Sequence, residues 1–285
     1  MVVVHYRTPE VLDGCLERVR RVLPGVPVIV VDADSGDGTP ERLAREYPWV
    51  QTLVAPNHSM AHAVNTGLKT TRSAFVLQMN ADVFLEAGAA EALLAALADP
   101  AVGMVGPRCR DAQGRIQDQG PLYRRHHLRL LLSRRSSVRV PWLSGCCTLL
   151  RREALEAVGG LDGSLRFYNE DTDWCYRLSA AGYACHLVAT DVKHLGGAST
   201  PADARFWLEG LRGGMQLSRR YRSPRYRRWH RRAVLAYGSL ARGWLGLRRQ
   251  GSDERLAALQ RLFGEQRFDE SPFGATLNES NERFG

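Results

Sequence analysis

Residues 28–41 read VIVVDADSGDGTPE, a continuous apolar run that passes through a turn rich in Gly and Asp into a Thr-Pro pair. Apolar β-branched residues favour a buried strand, and Thr39 followed by Pro40 is typical of a helix start. The same change from apolar run to helical pattern recurs through residues 1–107, which predicts an α/β fold with a mainly parallel sheet flanked by helices. Predicted strands are Val2–Tyr6, Val28–Asp32, Val50–Ala55, Phe75–Met79 and Val102–Val105.

Two acidic residues stand where predicted strands end. Asp32 closes the strand at 28–32, and Asp82 follows the strand at 75–79. Because open α/β sheets bind their ligands at the carboxyl ends of the strands, we expect the two carboxylates to converge on one crevice. A second interpretation stays open, in which Asp32 and Asp34 only stabilise the turn between strand and helix.

A third acidic segment, YNEDTDW at residues 168–174, places Glu170, Asp171 and Asp173 within four residues at a predicted helix start. Clustered carboxylates repel one another unless a cation, a hydrogen-bond network or a reaction needs them. For an isolated Glu-Asp pair, favourable charge at a helix N-terminus is the simpler explanation. The cluster is therefore a candidate for catalysis that needs support from the rest of the chain.

Together these three segments resemble the inverting glycosyltransferases of family 2, which have the GT-A fold, in the branch that includes the rhamnosyltransferases. The resemblance implies transfer of a sugar, with inversion, from a nucleotide-diphosphate donor to a glycan or lipid-linked acceptor. It suggests dTDP-rhamnose or a UDP-hexose as the donor. It also implies that Asp171 is the general base, that Glu170 contacts the acceptor and that Trp142 borders the acceptor site.

The resemblance further implies a divalent cation, Mg²⁺ or Mn²⁺, held against the donor diphosphate. Asp82 would be its carboxylate ligand, since both ions prefer oxygen ligands. His194, in a His-Leu-Gly-Gly segment, would complete the shell, and a structural role for this histidine is equally open. Ala33 stands where the family usually has Asn or Asp. The resemblance implies that the donor is bound by Tyr6, Asp32, Asn57, Asn65 and Asn80. Asp34 would take over part of the base contact expected at position 33.

Positive charge is concentrated in the last third of the chain. Of the net charge of +9, residues 1–200 carry +1 (22 basic less 21 acidic residues) and residues 201–285 carry +8 (17 less 9). The neutral part therefore contains the expected active site, and the basic part is an addition to it. We expect a GT-A domain at 1–200 with a nucleotide-sugar half at 1–107 and an acceptor half at 108–200, an Arg-rich helical extension at 201–268 and a flexible tail at 269–285.

The segment 205–249 contains 13 arginines and one acidic residue, interleaved with aromatic residues. A membrane-surface contact, a solvated or oligomer-forming face and a nucleic-acid surface all remain open. The first is favoured, because basic helices with Trp and Leu bind anionic membranes, and no nucleic-acid-binding motif is present. With no apolar run of bilayer length, no signal peptide and cysteines without metal-type spacing, we expect a cytoplasmic protein that contacts the inner face of the membrane.

Two further functions are kept as alternatives. A sugar nucleotidyltransferase also uses a nucleotide-binding sheet, but it needs a Gly-rich basic loop after the first strand, where this chain has HYRTP at residues 5–9. A degenerate transferase fold could act as an adaptor for membranes or nucleic acid. Such an adaptor has no need of a catalytic base, yet Asp171 is present.

Overall fold

The computed structural model describes residues 1–117, 119, 121–197, 203–247 and 254–276. The strands are β1 (Val2–His5), β2 (Val28–Asp32), β3 (Val50–Val54), β4 (Phe75–Asn80), β5 (Val83–Leu85), β6 (Val102–Arg110), β7 (Ser137–Val140), β8 (Cys147–Arg151) and β9 (Ala184–His194). The helices are α1 (Pro9–Val22), α2 (Thr39–Glu46), α3 (Met60–Lys69), α4 (Ala89–Ala96), α5 (Pro121–Ser133), α6 (Arg152–Val158), α7 (Glu170–Ala180), α8 (Ala204–Tyr221), α9 (Pro224–Leu247) and α10 (Glu254–Gly264).

The described strands form one sheet in the order β3-β2-β1-β4-β8-β6-β9-β5, with β7 paired to β9. Strands β1 to β4 are parallel, so that Val3 of β1 lies between Val30 of β2 and Met79 of β4. Strand β8 runs antiparallel to both β4 and β6, whereas β6 and β9 are parallel. The predicted α/β sheet is confirmed, and its second half adds antiparallel pairs.

The central strands are apolar at almost every position because helices cover both faces of the sheet. Every residue of β1 and β2 is buried, as expected for strands of this kind. One face packs on α3 and α7, and the other packs on α1 and α4. Gly67 of α3 lets that helix approach closely, since an added Cβ would lie 2.4 Å from the Val2 side chain. This packing fixes the carboxyl edge of the sheet, where β1, β2 and β4 end side by side.

Helices α8, α9 and α10 form a separate small core beside the sheet. Residues 269–276 pack onto it: the Ser271 hydroxyl donates to buried Glu209, and Arg166 donates to the carbonyl of Phe273. The segment predicted to be flexible therefore begins with a packed turn, and residues 277–285 lie outside the described residues. None of the described helices combines the length and apolar content needed to cross a membrane. The buried apolar residues of this core are Leu208, Met215, Leu259, Phe263 and Phe268.

Candidate active site

A buried polar cluster joins the loops that follow β1 and β2. His5 Nδ1 lies 2.8 Å from Asp32 Oδ2, and Ser35 donates to both Asp32 oxygens, from its N–H at 2.9 Å and from its hydroxyl at 2.7 Å. The Thr8 N–H donates to His5 Nε2 at 3.0 Å, which places the proton of a neutral His5 on Nδ1, facing Asp32. Arg7, at a φ of 50°, donates from its backbone N–H to the Ser35 hydroxyl at 3.0 Å. The two loops therefore form one rigid unit.

The carboxylate of Asp32 is occupied by this cluster. It is 1% exposed, and although burial alone would raise its pKa, the hydrogen bonds from His5 and Ser35 hold that pKa below its ordinary value. A direct contact between Asp32 and the donor stays a prediction. His5 and Ser35 were not among the predicted site residues. The sequence feature that could have indicated His5 is a histidine near the end of a predicted buried strand.

Three of the predicted site residues line a common cavity at the end of β1 and β4. Tyr6, Asn80 and Asp82 surround a space of 40 Å³ that Met60 of α3 closes. Asn80 Oδ1 is buried and has no hydrogen-bond partner among the described residues. A buried acceptor without a partner is costly, so such an atom marks a place for a ligand, an ion or a water molecule. Amide and carboxylate oxygens fit Mg²⁺ or Mn²⁺, and the predicted cation therefore suits this edge.

The structure also brings together the two predicted metal ligands. His194 Nε2 lies 3.3 Å from Asp82 Oδ1, and the Gly196 N–H donates to Asp82 Oδ2 at 3.1 Å. Gln117 Oε1 lies 2.7 Å from His194 Nδ1 and fixes the orientation of the ring. Gly196 is at a φ of 68°, a conformation that glycine adopts without strain. The His-Leu-Gly-Gly segment thus folds directly over the Asp82 carboxylate.

Two cysteines lie beside this histidine. Cys109 Sγ and Cys146 Sγ are 3.2 Å apart, and with His194 they offer ligand atoms that all lie within 4.8 Å of one another. Burial alone would lower the pKa of His194, but Cys146 and Asp82 raise it to about 10. Spacing in the sequence gave no sign of this group, because Cys109 is on β6 and Cys146 precedes β8.

The predicted general base stands at the first turn of α7. Asp171 Oδ2 accepts from the Gly145 N–H at 3.0 Å, and Asp171 Oδ1 accepts from the Thr172 N–H at 2.6 Å. Glu170 Oε2, by contrast, is buried without a partner among the described residues. Burial and then the charge of Asp171 raise the pKa of Glu170 to about 8; burial also raises the pKa of Asp171, and the Gly145 and Thr172 donors oppose that rise. Because Asp171 has hydrogen-bond donors and the Glu170 Oε2 atom has none among the described residues, a proton shared by the pair favours Glu170.

One short segment connects this base to the metal candidates. The Gly145 N–H binds Asp171, and the carbonyl of the next residue, Cys146, accepts from the Asn80 N–H at 2.9 Å. The end of β4 and the start of α7 therefore lie on either side of Gly145 and Cys146. Asn80 and Asp171, predicted from distant parts of the chain, are thus linked through two consecutive residues.

Helix α8 supports the loop that leads into α7. Tyr168 and Asn169 both have a left-handed backbone, with φ of 69° and 71°, which is a strained conformation for residues other than glycine. Asn169 Nδ2 donates to the carbonyl of Gly210 at 3.0 Å. An added Cβ on Gly213 would lie only 2.7 Å from Asn169 Nδ2, so the loop and α8 touch directly. The surrounding contacts thus hold the strained approach to Asp171.

The remaining predicted residues are spread more widely. Asp34 and Asn57 are exposed, Asp34 at a φ of 54°. Asn65 is buried, and its side chain forms two hydrogen bonds with the backbone of Leu161, at 2.8 and 2.9 Å. Trp142 packs edge to face with Tyr123, and its indole lies close enough to Asp171 to oppose the rise in the pKa of that carboxyl group. Their assignments to donor and acceptor remain predictions.

This arrangement can be compared with known proteins. Residues 1–159 match the family described as glycosyl transferase family 2. The chain belongs to this family. It is also 31% identical, over 215 residues, to the N-acetylglucosaminyl-diphospho-decaprenol L-rhamnosyltransferase of Mycobacterium tuberculosis, a match that spans 62% of this chain and 69% of the relative. The resemblance to family 2 and to its rhamnosyltransferases is therefore confirmed.

Solved structures confirm the GT-A fold of this family 2 member. The mannosyltransferase PcManGT of Pyrobaculum calidifontis, in complex with GDP-Man and Mn²⁺, is similar with a TM-score of 0.58 at 18% identity, over 94% of this chain and 83% of that one. GalNAc-T7, with UDP, GalNAc and Mn²⁺, is similar with a TM-score of 0.62 at 14% identity, over 92% of this chain and 53% of that one. At these identities the likeness concerns the fold alone.

Proposed function

We propose that this glycosyltransferase moves a sugar from a nucleotide-diphosphate donor to a lipid-linked sugar acceptor, with inversion at the anomeric carbon. The observation that carries the proposal is the Asp171 carboxylate, oriented by Gly145 on the far side of the segment that binds Asn80. The similarity to a rhamnosyltransferase whose name specifies a diphospho-decaprenol acceptor supports a lipid-linked acceptor. It also supports a deoxyhexose donor such as dTDP-rhamnose over a UDP-hexose.

The proposed chemistry is a single displacement. Asp171 accepts the proton of the acceptor hydroxyl as that oxygen bonds to the anomeric carbon, and the bond from this carbon to the donor diphosphate breaks on the opposite face. The Gly145 and Thr172 donors keep Asp171 ionised and fix its direction, since a charged acceptor favours short, well-directed hydrogen bonds. Glu170, which holds the shared proton, contacts the acceptor. No covalent glycosyl-enzyme is required.

Asp82, His194 and Asn80 are the residues that would hold Mg²⁺ or Mn²⁺. When bound, the ion neutralises negative charge on the departing diphosphate. Asp82 supplies the carboxylate, and the unpartnered Asn80 oxygen lies in the same cavity. His194, oriented by Gln117, holds Asp82 in place.

The base is tested by Asp171→Asn. Transfer to a lipid-linked acceptor should fall by more than about 100-fold, since general bases contribute 10²–10⁴-fold to rate. Binding of the nucleotide should be unchanged, because Asp171 contacts the acceptor. Glu91→Gln, a carboxylate-to-amide change at an exposed position of α4, serves as the matched control and should keep full activity. Turnover retained in Asp171→Asn would remove the assignment.

The donor site is tested by calorimetric binding of dTDP, UDP and GDP, with and without Mn²⁺. The proposal expects Mn²⁺-dependent binding of dTDP that Asp82→Ala abolishes and Glu91→Gln preserves. Binding of UDP instead would exclude dTDP-rhamnose as the donor. A folded protein that binds none of the three nucleotides would contradict the proposal.

A further inference from the structure

Helix α9 carries a row of large apolar side chains that the rest of the described protein leaves exposed. At 3.6 residues per turn the five positions fall within an arc of about 80° along one side of the helix. We call these five residues the aromatic stripe. The exposed fractions are 43% for Tyr226, 62% for Trp229, 57% for Tyr237, 75% for Leu240 and 57% for Trp244.

The opposite side of α9 is the packed side. Val234 and Leu235 lie against the small core formed with α8 and α10, and Gly238 faces Leu259 of α10, whose side chain an added Cβ would meet at 2.8 Å. This packing sets the rotation of the helix. The aromatic stripe therefore points outward because α9 is fixed in that orientation.

A basic cavity borders the N-terminal half of the same helix. Its volume is 430 Å³, and the described residues that line it include five arginines and no carboxylate. Two of the arginines have structural roles: Arg219 pairs with Asp269 at 2.9 Å, and Arg231 donates to the carbonyls of Phe263 and Gly264. The guanidinium groups of the other three form no hydrogen bond or ion pair with any described residue. These three are Arg227, Arg228 and Arg232.

Unpaired cations converging on one cavity repel one another, so they call for an anion. At 100° per residue, Arg225 and Arg232 lie about 40° and 60° beyond one edge of the aromatic stripe, whereas Arg227 and Arg228 lie toward the packed side of α9. We call Arg225 and Arg232 the arginine flank. A helix with Trp, Tyr and Leu along one line and arginines beside that line matches the chemistry of the headgroup layer of an anionic membrane. There the aromatic rings sit at the boundary with the acyl chains, and the guanidinium groups bind phosphates.

We infer that α9 lies flat on an anionic phospholipid bilayer, with the aromatic stripe in the headgroup layer and the arginine flank on lipid phosphate. A helix of 24 residues is about 36 Å long, which gives contact along a line rather than at a point. The inference deepens the proposed function, on which it rests, because a lipid-linked acceptor presents its sugar at the same surface. Contact along α9 would fix the orientation of the protein relative to the bilayer.

The inference is tested by co-sedimentation of the full chain with vesicles of phosphatidylglycerol and phosphatidylcholine, and with vesicles of phosphatidylcholine alone. Binding to the anionic vesicles is expected. The double variant Arg225→Gln/Arg232→Gln should weaken it about 25-fold, since each cation near the surface contributes roughly fivefold. The matched control removes two exposed arginines elsewhere, Arg20→Gln/Arg135→Gln, and should lose far less.

A second variant separates the stripe from the charge. Trp229→Ser/Leu240→Ser keeps every arginine and changes only exposed side chains, so the fold should be retained, and circular dichroism checks this. Vesicle binding should fall at least tenfold. Brominated lipids should quench the fluorescence of wild type but much less that of Trp229→Phe/Trp244→Phe. All of these measurements omit donor and acceptor, so their outcome is independent of the catalytic assignment.

Several results would overturn the inference. One is absence of binding to anionic vesicles in the folded wild-type protein, and another is equal loss in the flank and control double variants. Sedimentation velocity that shows a dimer dissociated by the stripe variant, without vesicle binding, would make a second copy of the chain the partner. Preferential binding of an oligonucleotide over vesicles, lost in the flank variant, would assign the surface to nucleic acid.

Discussion

The buried ion pair between Glu209 and Arg212 of α8 joins the C-terminal helices to the loop before α7, and its removal should destabilise the whole enzyme. The two side chains are 0% and 1% exposed, and two hydrogen bonds of 2.9 and 2.5 Å link them. Arg212 also donates to the carbonyls of Ser164, at 2.6 Å, and Phe268, at 2.9 Å. Glu209 accepts from the Ser271 hydroxyl at 3.0 Å. The pair thus holds three segments of chain together.

Arg212→Met leaves the carboxylate of Glu209 buried without a counter-charge. Breaking a buried pair in this way costs about 3–5 kcal/mol of the free energy of unfolding. At about 2.1 cal/mol/K of unfolding entropy per residue, a cost of that size lowers Tm by about 5–8 °C. The double variant Glu209→Gln/Arg212→Met leaves no unpaired charge, and it should cost less than the sum of the two single changes.

Urea unfolding followed by tryptophan fluorescence, for the two single variants and the double variant, measures this coupling. Arg42→Met is the matched control, because it breaks a partly exposed pair with Asp13 at 2.7 Å and should cost less than about 1 kcal/mol. The reasoning is refuted if Arg212→Met costs no more than the control, or if the single effects add in the double variant. Additivity would mean that the two charges do not depend on each other.

Three further predictions follow from the site. The folded state raises the pKa of Glu170 from 4.5 to about 8, so it binds more protons than the unfolded chain between these pH values. The free energy of unfolding should therefore fall as pH rises across that window. Glu170→Gln should flatten this pH profile, and an unchanged slope would assign the slope to other groups. Asn65→Ala removes both hydrogen bonds to Leu161 and should lower the free energy of unfolding by about 2–4 kcal/mol. Asn57→Ala, at an exposed position, should change the urea midpoint little. Equal effects of the two changes would contradict the structural role of Asn65. Gly213→Ala places a Cβ 2.7 Å from Asn169 and should lower kcat with nucleotide binding intact. Gly210→Ala, whose Cβ meets Tyr168 at 3.6 Å, should be nearly neutral. Equal steady-state rates for the two variants would exclude support of the loop by α8.

Much of the site could be predicted because its elements are encoded locally. Each of the parallel strands β1, β2 and β4 is a short apolar run, so the pattern of apolar residues predicted these strands and placed Asp32 and Asp82 at the sheet edge. Asp171 was found in the same way, at a helix start marked by three acidic residues. The resemblance to family 2 then gave each residue a role that periodicity alone does not supply.

The roles of individual polar atoms were not predictable by the same means. Asp32 and Asn65 match donor-binding positions, yet the side chain of one holds His5 and Ser35, and that of the other holds Leu161. A side chain binds whatever the fold brings to it, and the partner of Asn65 is 96 residues away along the chain. The sequence shows that a polar group is present and gives no sign of where its hydrogen bonds go.

The sequence by itself determined the strand–turn–helix units, the carboxylates at their ends and the basic character of the last third, because each depends on neighbouring residues. Only the tertiary structure decided that His194 lies on Asp82, that Gly145 orients Asp171 and that α8 supports the strained loop at Asn169. It also decided which side of α9 is exposed, since the packing of Gly238 against Leu259 sets the rotation of that helix. Contacts of this kind join residues that are distant in sequence, and their geometry exists only once the sheet and helices have packed.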